Sequence, residues 1–138
     1  MANITRFEEI EAWKTARELT HLVYQISAQG VFERDFGLKD QIRRASVSVM
    51  SNIAEGFESR TDVQLINYLG MAKASAGEVR AQLYVSLDQK YLTQTQFDKA
   101  FTLAQTASRQ LMRFIQYLEQ NPRKNRIGED PSDYHTDL

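Results

Sequence analysis

No proline interrupts this chain before Pro122, and the only other one, Pro131, follows it. An interior proline removes a backbone donor and clashes with the preceding turn, so ~120 residues are left free to be helical. Four segments use that freedom by carrying apolar residues at three- and four-residue steps. In the first, Ile10, Trp13, Ala16, Leu19, Val23 and Ile26 share a face; Thr5 and Glu8 fit a capping box at its start, and Gly30 supplies a stop. The second runs from about Gly37 to Glu58, with Leu38, Ile42, Ala45, Val49, Ile53 and Gly56 in one stripe, and ends in the turn-rich "ESRTD".

The third opens with a capping box of Thr61 and Gln64 and carries the line Leu65, Leu69, Ala72, Ala76, Val79 and Leu83 to an end near Lys90. The fourth opens with Thr93 and Gln96 and continues through Phe97, Phe101, Ala104, Ser108, Leu111, Ile115 and Leu118 until Asn121 and Pro122 close it. Short connections force neighbours to run antiparallel. The expected fold is therefore all-α, an antiparallel up-down-up-down four-helix bundle over residues 1–121. Residues 122–138, "PRKNRIGEDPSDYHTDL", lack a period and read as a flexible C-terminal tail.

Composition narrows the function. With no cysteine there is no disulfide framework, thiolate-held zinc or cysteine nucleophile. The start "MANITRFEEIEAW" lacks the apolar core of a signal peptide, and no segment is apolar for long enough to cross a bilayer, so a cytoplasmic protein without membrane contact is expected. A net charge of −1 argues against gripping nucleic acid by bulk electrostatics and leaves only local patches.

The second helix carries polar groups where a simple amphipathic helix would carry Leu. At 100° per residue, Gln41, Arg44, Ser48, Asn52 and Glu55 fall within about 80° of each other. Beyond them Val47, Met50, Ala54 and Phe57 make the helix apolar or small over most of its circumference, which suggests two packing partners: its own bundle and a second subunit. Small residues permit close approach, and close approach requires polar groups to be paired. The third helix offers Ser75, Glu78 and Gln82 as partners. Arg44 is expected to meet Glu55 or Glu78, within or between subunits, with Ser48, Asn52, Ser75 and Gln82 completing the hydrogen bonds. An ordinary solvated face and a ligand or nucleic-acid site are the competing readings of the same strip.

These residues carry a resemblance. "FGLKDQIRRASVSVMSNIAEGFES", preceded by "FEEIEAWKTARELTHLVY" and followed by "MAKASAGEVRAQL", resembles the bacterial four-helix bundle proteins encoded in intervening sequences of 23S ribosomal RNA genes. The likeness spans about residues 7 to 120. Its most specific part is Gly37-Leu38, Gln41, Arg44-Ala45, Ser48 and Asn52-Ile53-Ala54-Glu55-Gly56, backed by Ser75 and Glu78. It departs from the usual pattern at Glu33, where an aromatic-Pro pair is common, at Met50, where Pro is common, and at Ala74, where Gly is. The resemblance implies a homo-oligomer, a ring of five, with no established catalytic activity. It also raises RNA as a partner, since relatives are encoded within ribosomal RNA genes and distantly similar bundles accompany reverse transcriptases.

Catalytic chemistry finds few footholds. A carboxylate-bridged metal bundle needs Glu-x-x-His, which does not occur; His21 has only Glu18 nearby at ligand spacing, and His135 lies in the tail. Glu55 and Glu78 could form an acid–base pair only if a pocket enclosed both. Ser46, Ser48 and Ser51 have no activating base nearby in sequence, and no Gly-rich phosphate loop is present. The expectation is a non-enzymatic scaffold or adaptor with no cofactor, metal or small-molecule substrate. The alternative is an RNA- or DNA-binding module using Lys39 and Arg43 with Arg34, Lys14 and Arg17, Arg109 and Arg113, and "RKNR" in the tail, its small patches multiplied by symmetry.

Overall fold

Two threonines start helices in the way their spacing predicts. The Thr61 side chain accepts from the Gln64 N–H at 3.2 Å while the Gln64 amide reaches back to the Thr61 N–H, and Thr93 and Gln96 repeat the arrangement. They open α3 (Asp62–Asp88) and α4 (Gln94–Gln120) of a computed structural model that describes residues 4–122. The helices α1 (Glu11–Ser27) and α2 (Phe36–Glu58) precede them, with 3-10 turns at Phe7–Glu9 and Phe32–Arg34. The described residues are all-helical, without a strand. None of these helices is long and apolar enough to cross a membrane. The expected tail lies outside the described residues, Pro122 apart.

The capping box expected from Thr5 and Glu8 does not form. Thr5 N–H instead donates to Glu9 Oε1 at 2.8 Å, a bond that lowers the Glu9 pKa, and Ile10 is extended at φ −74° and ψ 125°. Ile10 is buried and is the extended N-cap residue whose carbonyl accepts from Lys14 N–H at 3.1 Å, so α1 starts at Glu11. At its other end Gly30 sits at φ +53°, a conformation that glycine adopts without a Cβ clash. The α2 start is fixed by Asp35, whose Oδ1 accepts from Leu38 N–H at 3.1 Å.

The predicted apolar lines of α1, α2 and α3 supply the core, except that Trp13 and Leu38 are only half-buried against it. Ala16, Val49, Ile53, Leu65, Leu69 and Leu111 pack around one half, and Leu19, Val23, Ile42, Val79, Leu83 and Ala104 around the other. On α4 the stripe is displaced: Phe101 and Ile115 are only half-buried, whereas Ala100, Ala107 and Phe114 are buried. Phe101 instead stacks on Phe97 at 5.2 Å and meets the edge of Tyr84 at 5.3 Å.

Contacts between neighbouring helices pair rising residue numbers with falling ones. Gln41 meets Gln82, Ser48 meets Ser75, and Gly56 lies against Leu65 and Tyr68. Arg43 meets Ser27 and Thr20 meets Ser46 across α1 and α2. This is the pattern of antiparallel neighbours, consistent with an up-down bundle.

Candidate functional site

Close approach of α2 and α3 explains the polar strip on its inner side. Ser75 Oγ donates to Ser48 Oγ at 3.0 Å, and Asn52 Nδ2 donates to both Ser48 O and Ser48 Oγ at 2.9 Å. Seven residues toward the start of α2, Gln82 Nε2 reaches Gln41 Oε1 at 3.5 Å and Glu78 Oε2 at 3.3 Å. Gln82 is only 8 % exposed, and its Oε1 is buried without a hydrogen-bond partner, as is Arg80 Nε. An unmet buried acceptor costs more than a solvated one, so the Gln82 end is weaker than the Ser48 end. The structure thus brings together Gln41, Ser48, Asn52, Ser75, Glu78 and Gln82 within one chain.

Arg44 and Glu55 stand apart from that seam. Arg44, expected to meet Glu55 or Glu78 within or between subunits, meets neither within the chain: its Nε donates to Asp40 Oδ2 at 2.8 Å on its own helix, and its side chain is 80 % exposed. The i, i+4 spacing favours this pair, which needs no second helix. Glu55 is exposed on the outward face. Glu55 and Glu78 are also both outward and lie on levels about 15 Å apart along the bundle, too far to share one reacting atom.

The outward face of α2 borders a groove. Tyr24 of α1 and Asp40, Arg43, Arg44, Val47 and Ser51 of α2 line an open space of about 650 Å³. Its wall is stiffened by Arg43, whose guanidinium lies 4.4 Å over the Tyr24 ring and donates to Ser27 Oγ at 2.8 Å. Arg43 therefore spends its donors on tying α2 to α1. Lys39 lies 5.1 Å over the Phe36 ring.

The remaining basic candidates are scattered. Lys14 pairs with Glu11 at 3.5 Å, and Arg17 lies 5.8 Å over Trp13; both line a second open groove on α1 with Glu8, Glu18 and His21. Arg109 and Arg113 are exposed on α4, with Arg113 beside the start of α1, and Arg34 is exposed in the second 3-10 turn. "RKNR" lies outside the described residues. Among the described residues no cluster of three His, Cys, Asp or Glu side chains is placed to hold a metal.

A further feature of the surface is the outer face of α3. Between Met71 and Val85 its exposed residues are Met71, Ala74, Glu78, Ala81, Tyr84 and Val85, and only Glu78 is charged. Solvent-facing helix surfaces ordinarily carry charged side chains, so α3 is apolar on the face it shows to water as well as on the face it buries. The signal was legible, because Met71, Ala74, Ala81 and Val85 recur at helical steps beside the core line.

Comparison with known proteins gives a family and a fold neighbour. The family model described as "23S rRNA-intervening sequence protein" matches residues 8–113. A solved structure described as a protein with unknown function from the S23 ribosomal protein family of Bacteroides thetaiotaomicron is similar, at 21 % identity and a TM-score of 0.70. The match covers 76 % of this chain and 95 % of that one. No curated protein matches the chain.

Proposed function

The chain belongs to the 23S rRNA-intervening sequence protein family, and on that premise we propose that it is a non-catalytic scaffold, an up-down-up-down bundle that assembles with copies of itself. The observation that carries this reading is the outer face of α3, with Met71 47 % and Val85 46 % exposed and a single charge along four turns. A contiguous apolar strip on a surface otherwise dressed with charge is a surface suited to being covered. Self-association is the economical way to cover it, because every copy supplies both partners. The ring of five implied by the sequence resemblance is the stoichiometry to test.

Light scattering on the purified chain decides the reading. A particle several times the 15.9 kDa of one chain is expected, and a mass of one chain at high concentration overturns it.

A second reading, RNA or DNA binding, is favoured by one observation: Trp13 shares its groove with the cations Lys14 and Arg17. Glu8 and Glu18 in the same groove weaken it. Titration of structured RNA at two salt concentrations separates the readings, since phosphate contacts must weaken as salt rises.

A further inference from the structure

The α3 ridge and the groove between α1 and α2 lie on different sides of one subunit and match each other in height. Height follows from the seam. Gln41 is level with Gln82 and Ser48 with Ser75, so Arg44, three residues beyond Gln41, stands level with Val79. Glu78, the one charge on the ridge, is a single residue away, about 1.5 Å of helical rise. By the same register Val47 and Ser51 stand level with the Ala74 region of the ridge. Copies related by rotation about an axis parallel to the bundle keep their heights, so any such arrangement that brings ridge to groove brings Glu78 to the level of Arg44.

Resting on the self-assembly reading above, we propose that the α3 ridge of one copy seats in the α1–α2 groove of a second copy, with Glu78 of the first paired to Arg44 of the second. Charge and size both fit. The groove wall offers small or apolar Val47, Ser48 and Ser51 to small or apolar Ala74, Ala81 and Met71, which permits close helix approach. Asp40 already holds Arg44 by Nε, leaving both terminal nitrogens of the guanidinium for an incoming carboxylate. Glu78 engages Gln82 through Oε2 alone among its two oxygens. Because the ridge and groove are different surfaces, the contact is heterologous: it repeats head to tail until a ring closes.

The test is a charge-swap cycle on the full chain, read as mass by light scattering, with helicity by circular dichroism to confirm folding. Arg44→Glu and Glu78→Arg are each expected to reduce the particle to one 15.9 kDa chain, and the double variant to regain the wild-type mass. The chain has no cysteine, so Val47→Cys with Ala74→Cys, oxidised in the assembled protein, is expected to give a ladder of linked chains on a denaturing gel. A wild-type protein that is itself a single chain defeats the self-assembly reading and this contact with it. An assembled wild type whose folded single variants keep their mass, whose folded swap stays dissociated, or whose cysteine pair gives no ladder overturns the contact and leaves self-assembly standing.

Discussion

At the scale of single residues, two positions show how closely the helices are fitted. A Cβ on Gly56 would stand 2.7 Å from Tyr68 Cβ and 3.1 Å from Leu65 Cδ1, where the first two turns of α3 pass the end of α2. The Tyr68 Cβ is anchored to backbone and cannot swing away. Gly56→Ala is therefore expected to destabilise the protein by about 1 to 3 kcal/mol in urea unfolding, in spite of alanine's better helix propensity. Tyr91 is the second position. Its hydroxyl donates to Asp35 Oδ2 at 2.8 Å, and this bond, followed by burial and the carboxylate charge, raises the phenol pKa above 10.0. The folded state holds that proton more tightly, so the bond's contribution is complete below the unfolded pKa of about 10 and is lost as pH rises through the raised value. Wild type should lose stability across that alkaline window, and Tyr91→Phe should show a shallower loss; equal urea midpoints for the two at every pH would remove Tyr91 from the account.

At the scale of elements, local signals were legible and tertiary ones were not. Thr61 with Gln64 and Thr93 with Gln96 are capping boxes because each needs only three residues of chain. Thr93→Ala is expected to cost about 1 kcal/mol. Thr5→Ala, at the box that did not form, should stay within about 0.5 kcal/mol of wild type in the same thermal or urea series. Periodicity places Ile10 on the apolar face of the first helix, and it is buried, but the sequence could not reveal that it would stand extended ahead of Glu11 while packing in the same core cluster as the distant Leu111, Phe114 and Leu118. The Arg43 clamp on Ser27 and Tyr24 was hidden for the same reason, being a contact between separate helices. Asp35, two residues before the expected start near Gly37, is an N-cap residue type visible in the sequence, and it caps α2. Periodicity predicts one seam from the polar strip of α2, but within the chain its members divide: Ser48 and Asn52 turn toward α3, whereas Arg44 turns outward to Asp40. Periodicity placed them within one arc and could not say where inside that arc the neighbouring helix would lie.

At the scale of the whole molecule, the decisive contrast is between a surface that costs nothing when made polar and one that holds copies together. Met71 and Val85 make no part of the buried core of one subunit. Replacing both with lysine should change the stability of a lone subunit by only about 0.5 kcal/mol per site. In an assembly the same lysines would be buried against an apolar neighbour without partners, and the contact would fail. Thermal melts over a wide concentration series separate the two cases, because association with the folded state raises Tm as concentration rises. The wild type is expected to melt higher when concentrated, while Met71→Lys with Val85→Lys melts at one temperature throughout, and the two should converge on dilution. Curves that coincide at every concentration would mean that the α3 ridge faces water in the working protein.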